Sequence, residues 1–486
     1  MPRLQDDFLN NSQHESEMQD ALDETVAGNC TTASPRIANL TRTRKAFGYL
    51  LTLNFAVLWA APIVIQGQTY RHGLKRIFRP LYRFIDGLPG WRSFAVKNVY
   101  RMEADAAYFT AAVLCFSSTV AMISIMLWWQ VLHGSLPWWL IALYYFHWVG
   151  PGGRMMGVAY TFAHREGHRP GGGLYRSSLG NLIGNPFENI LGLWYGVIPN
   201  NFSTSHVLLH HRLDGGKGDP IFLWDLDRTK FGDLMLYQWR MFRWMTGFGS
   251  LAEFQRQSGV HPAIDKARIS LRRGMITYYL HVPAIIVVLL IAAGSTLLSA
   301  LLFLFFIYLQ PLLCMSTFLA LINVGQHGFL EFDADGKHIP LVTATTILDG
   351  HDDSFGEDYH FAHHFAPVVQ LGKLRENIIG KKADCQNVNG AVFRETTIFE
   401  IAIMLHMGKF KELISRHYVD FSDKEATNVD ELAELFEDRA KRREMSYEEY
   451  EFTYLPTLRS RVRKLVQDGV CPDENRAYIY QANRVA

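Results

Sequence analysis

Four short histidine-rich motifs stand where hydrophobic stretches of the chain end: His164-Arg-Glu-Gly-His168, His206-Val-Leu-Leu-His210-His211, Asn323-Val-Gly-Gln-His327 and His360-Phe-Ala-His363-His364. On a helix, residues three or four apart lie on one face, so each motif reads as one ligand unit aiming its imidazoles at a common point. Together they offer nine imidazoles and one amide. That exceeds the four ligands that close a structural zinc site, and it fits two metal ions better than one. Ligation dominated by imidazole, with little carboxylate and no thiolate, suits iron, copper, zinc or nickel and argues against magnesium or calcium. The zinc-peptidase pattern is absent, because Glu166 stands two places after His164 rather than directly after it. Glu166 and Asp358, inside or beside the motifs, are the carboxylates expected to accept from the outer ring nitrogens of ligating imidazoles. Asp214, Asp219, Glu331 and Glu357 also flank the motifs, where a solvated surface acid is the plainer reading. His147 and His281 lie in apolar runs and read as histidines bonded to a neighbouring helix, and His351 is a spare near the last motif, left out of the set.

The elements that must position these residues are membrane helices. Ile276 to Gln326 contains no Asp, Glu, Lys or Arg and is long enough to cross a bilayer twice, with a turn near Gly294-Ser295. Ala106–Leu132 and Leu136–Gly153 form a second hairpin, whose return helix leads towards His164 after a kink or stop at Pro151-Gly-Gly. Phe47–Gln68 is an additional N-terminal span, too far into the chain for a secretory signal. Lys75, Arg76, Arg79, Arg83, Arg92, Lys97 and Arg101 sit in one connection, whereas the hairpin turns carry no charge. The positive-inside bias therefore puts that connection and all four motifs on the cytosolic side, with the N-terminal tail lumenal and weak sequons at Asn10, Asn29 and Asn39 consistent with it. A formal net charge of +1 removes the case for a nucleic-acid partner. The five cysteines have neither disulfide nor metal spacing and read as free thiols.

The order HxxxH, HxxxHH, NxxxH, HxxHH on a two-hairpin membrane protein resembles the integral-membrane fatty-acid desaturase family, typified by stearoyl-CoA desaturase, over about Ala106 to Pro367. The resemblance implies two iron ions held by His164, His168, His206, His210, His211, His327, His360, His363 and His364, with Asn323 contributing through water. It also implies a cytosolic metal-bearing cap over four helices, an acyl chain in a kinked apolar tunnel, and O2 as co-substrate. The expected fold is all-α and polytopic: two transmembrane hairpins, an additional N-terminal span, and a cytosolic helical cap holding the dimetal site. The expected activity is O2-dependent desaturation of a membrane lipid or acyl-CoA, in the endoplasmic reticulum.

No haem domain, flavin fingerprint or iron–sulfur cysteine set is apparent, so electrons are expected from a separate protein, cytochrome b5 or a ferredoxin. The expected organisation is a polar tail at 1–46, the N-terminal span and basic linker at 47–105, the desaturase-like domain at 106–370 and a charged cytosolic helical tail at 371–486. Pro186–Pro199 reads as an interfacial helix. His210-His-Arg-Leu-Asp-Gly-Gly-Lys-Gly-Asp219 is distinctive without naming a substrate. A lipid or sterol hydroxylase would use the same ligands, and its product would gain an oxygen. A membrane metal transporter or sensor would instead line its spans with ionisable residues, whereas here the histidines gather at one edge.

Overall fold

The computed structural model describes residues 35–213, 215–257, 262–351, 355–365, 369, 373–421 and 428–469. Two compact units divide after Thr43, and all four motifs belong to the larger, Arg44–Ala486. Helices α1 (Pro35–Leu58), α2 (Ala60–Thr69) and α3 (Lys75–Gly87) come first, with a wider π-helical turn, Tyr70–Leu74, joining α2 to α3. They are followed by α4 (Phe109–His133), α5 (Trp138–Val149), α6 (Arg154–His168), α7 (Phe231–Met245), α8 (Pro262–Ala292) and α9 (Leu297–His327). The C-terminal part contributes α10 (His360–Phe365), α11 (Ile398–His406), α12 (Val429–Lys441) and α13 (Leu455–Gln467). Two three-residue strands, Thr346–Leu348 and Val392–Arg394, pair in parallel with Thr346 opposite Val392.

Among the described residues, three helices are long and apolar enough to cross a membrane: Glu103–His133, which contains α4, and α8 and α9. The α8–α9 hairpin turns where expected, since α8 stops at Ala292, Gly294 takes a φ of +91° and the Thr296 side chain caps α9 by accepting from the Ser299 N–H. The other expected hairpin differs. Its return limb is not one crossing, because α5 has only 12 residues, about 18 Å of helix. Gly150, Gly152 and Gly153 all take positive φ there and redirect the chain before α6 begins, as a Pro-Gly-Gly break should. The N-terminal span is also interrupted: α1 and the helix Ala60–Gly87 qualify as a crossing only as a pair, bent by 51° at the break between them. Helix α1 starts at Pro35 and reaches back into the stretch read as polar tail; residues 1–34, with the Asn10 and Asn29 sequons, lie outside the described residues.

Close packing at glycines brings the motif-bearing elements together. A Cβ on Gly167 of α6 would lie 2.6 Å from the Phe202 Cβ, so α6 lies against the segment holding the second motif. A Cβ on Gly325 of α9 would lie 2.3 Å from the Ile398 carbonyl oxygen, at the start of α11. Pro186–Pro199 is not an interfacial helix. It forms short turns with Leu191, Tyr195, Val197 and Ile198 buried, because its apolar residues fall on all sides and find partners on the surrounding helices.

Candidate metal centre

Helix α6 ends with His164 and His168 one turn apart, and His327 is the last residue of α9. The second motif lies on a π-helical segment, Phe202–His210, with the His211 N–H closing on the His206 carbonyl. Such segments recur at functional sites because the i→i+5 bond re-aims side chains. The fourth motif is the short helix α10.

Two groups of imidazoles result. His164, His168, His206, His211 and His363 each offer a ring nitrogen within 4.8 Å of all the others, and His210, His327 and His364 form a second such set. His360 joins the second, its Nε2 lying 2.7 Å from that of His327. In the first group the Nε2 of His164 lies 2.6 Å from that of His206 and 3.2 Å from that of His168, and His363 and His211 approach to 3.0 Å. All nine sequence-selected imidazoles are therefore brought together. The expectation that each motif aims at one point is corrected: His210 and His211 part company, as do His363 and His364, because adjacent residues on a helix point about 100° apart. Asn323 lines the cavity beside the centre, and its Oδ1 accepts from the Tyr237 hydroxyl.

Outer nitrogens fix the rings. His164 Nδ1–H donates to Glu357 at 2.9 Å, His210 Nδ1–H to the buried Asp219 at 2.6 Å, and His327 Nδ1–H to the Thr343 carbonyl at 3.0 Å. A carboxylate or carbonyl can only accept, so each of these Nδ1 atoms carries a hydrogen, and the neutral tautomer that fits the contact turns its Nε2 lone pair inward. Burial lowers the pKa of His206, His211, His360 and His363 well below the ordinary value, and that of His168 to about 2, which keeps the rings neutral. Converging lone pairs with few protons between them repel one another, and a cation in each group gives them a shared partner. The donor set therefore fits metal, and imidazole nitrogen suits iron among others.

Glu166 takes no part in orienting the imidazoles. Buried on the opposite face of α6, it accepts from the Tyr175 hydroxyl and from the backbone N–H groups of Phe187 and Glu188. Burial pushes its pKa up to about 8 and that of Glu188 to about 7. The Asp358 side chain lines the cavity, while its backbone carbonyl accepts from Ile347. Glu357 and Asp219, for which a solvated surface acid is the plainer reading of the sequence, are the acids that reach ring nitrogens; for Asp219 the available signal is the Gly-rich turn that separates it from His210. Asp214 lies outside the described residues.

A cavity of about 410 Å³ runs to the centre, its wall including His164, His206, His210 and His360 at the buried end and Met156, Phe202, Met241, Trp244 and Met315 beyond them. Such a volume falls within the range of small-molecule sites.

Fold and site together define a helical membrane-type protein with a polyhistidine pocket able to take metal. Residues 151–378 match the family model for fatty acid desaturase, which supports a member of that family. No curated protein and no solved structure matches the chain.

Proposed function

We propose that the protein is an O2-dependent di-iron desaturase that introduces a double bond into the acyl chain of a membrane lipid. The observation that carries this reading is the pair of imidazole groups at the buried end of an apolar cavity. The ligands are His164, His168, His206, His211 and His363 for one ion and His210, His327, His360 and His364 for the other, with Asn323 beside them. Two bound irons supply the O2 chemistry that removes hydrogen from an unactivated C–H bond, which no side chain does alone. The chain's own residues do the rest. Glu357, Asp219 and the Thr343 carbonyl hold tautomer and ring direction. Met156, Met241, Trp244 and Met315 give the acyl chain an apolar wall and keep water from the reacting carbon.

The motifs face the cytosol of an endoplasmic reticulum membrane, beneath a helical cap, and cytochrome b5 or a ferredoxin delivers electrons. The working domain division is a tail at 1–46, a linker region at 47–105, the catalytic domain at 106–370 and a helical tail at 371–486. A hydroxylase would use the same ligands, so the product decides. Lipid profiling of cells expressing the wild-type chain or His363→Ala should find a species two hydrogens lighter with wild type only, together with lowered iron in the purified variant. A product one oxygen heavier would assign hydroxylation, and full activity in the variant would remove His363 from the centre.

A further inference from the structure

The cavity has an open side, and its rim comes from parts of the chain outside residues 151–378 that match the family. On α2 the rim carries Val64, Gly67 and Gln68; Arg71 follows in the next turn, and Glu400 and Ile403 face it from α11. Val64 is 55% exposed and Ile403 38%. Phe318, half-buried on the membrane-type helix α9, lines the same side. An opening onto water would not normally be edged by exposed valine and isoleucine next to a span; an opening onto lipid would. The polar members of the rim gather together, with Arg71 paired to Glu400 and Gln68 one turn before Arg71. Past Arg71 the helix continues into α3, where Ile77, Leu81 and Phe84, with Leu88 just after its end, form an exposed apolar stripe edged by Arg76 and Arg83. That composition marks a helix at the headgroup layer.

Charge bears on the ligand. Among the described residues lining the cavity, Arg71 is the one Lys or Arg, against the carboxylates of Glu357, Asp358 and Glu400; Lys75 and Arg79 stand outside the lining, Arg79 donating to the Gly350 carbonyl. A coenzyme A thioester brings several phosphate charges and needs a basic mouth. A lipid whose headgroup stays at the bilayer surface brings only ester oxygens and one phosphate.

Taking the lipid-desaturase reading as its basis, we propose that the substrate is an acyl chain esterified to a membrane phospholipid. It enters sideways from the bilayer between α2 and α11, with Gln68 and the Arg71–Glu400 pair at headgroup level. Gly67 is the site for a test, because nothing lies within 4 Å of where its Cβ would stand, so a bulky side chain can occupy the entrance without displacing backbone. Gly73 is equally open but does not line the cavity and serves as the control.

The experiment places the full chain in phosphatidylcholine vesicles containing a phosphatidylcholine with a photoactivatable diazirine on its acyl chain, or adds the same acyl group as a coenzyme A thioester from water. Cross-linked peptides are then mapped; this readout does not require bound iron. The expected result is phospholipid labelling within 63–71 and 398–403, at least about fivefold lower in Gly67→Trp and unchanged in Gly73→Trp. Labelling by the thioester alone, or equal phospholipid labelling in Gly67→Trp and wild type, overturns the proposal. Lipid profiling separates the two levels of argument. Labelling at the rim with no product from wild type keeps the entrance and removes the desaturase reading, whereas equal product from wild type and Gly67→Trp keeps that reading and removes the entrance.

Discussion

Glu357 and Asp219 each hold one imidazole by its outer nitrogen, and neither can itself reach a metal bound by the inner one. Their loss should act on affinity rather than on occupancy of a ligand position. Glu357→Gln is expected to weaken iron binding by roughly 10- to 100-fold, read by titrating the purified protein with a competing chelator; an unchanged affinity would make the His164–Glu357 contact incidental. At this scale the imidazoles were legible, because their spacing is local and helical. Their partners were less so, since Glu357 meets His164 across 193 residues of sequence. Glu166 was the misreading with an avoidable cause: two residues on from His164 is about 200° round the helix, so a side chain between two inward histidines has to face outward.

Between elements, the histidine groups depend on how closely α6 approaches the Phe202–His210 segment. Gly167 sits inside the first motif and permits that approach, with the Phe202 carbonyl carbon also 2.8 Å from where a Cβ would stand. Gly167→Ala should separate the two motifs at a cost of about 1–3 kcal/mol from overpacking. The expected signs are a lower melting temperature in detergent and poorer iron retention, and normal values for both would show that the interface can relax. The membrane-type helices could be read from sequence because segregated charge is itself a local pattern, as in the α8–α9 hairpin. The failure of α5 to make a full crossing depended on the backbone at Gly150, Gly152 and Gly153, where a hydropathy run carries no information about φ.

At the level of the whole molecule, the C-terminal tail, which sequence reading left without a role, is tied to the loops beside the second and third motifs. Arg240 on α7 pairs with Asp225 and with Glu451, Lys217 with Glu444, and Arg439 with Glu331, just past His327. Arg240, Asp225 and Glu451 are all nearly or fully buried. Arg240→Met would take from the buried Asp225 its ion-pair partner and leave Glu451 to Arg44, for an expected loss of about 3–5 kcal/mol, measured by denaturant or thermal unfolding in detergent. An unchanged midpoint would mean that the Asp225 carboxylate protonates or reaches water at little cost. These ties could not be read from sequence because Arg240 and Glu451 are 211 residues apart.

The spread of the nine imidazoles along the chain, from His164 to His364, also has a consequence for biosynthesis. Each group needs a histidine from the fourth motif, His363 for one and His360 and His364 for the other, so neither is complete until that motif has left the ribosome. By then the membrane helices before it have already been synthesised. If the centre takes iron as proposed, the metal would reach a chain whose apolar helices are already made, and cellular iron supply would govern the maturation of standing, metal-free protein rather than its translation.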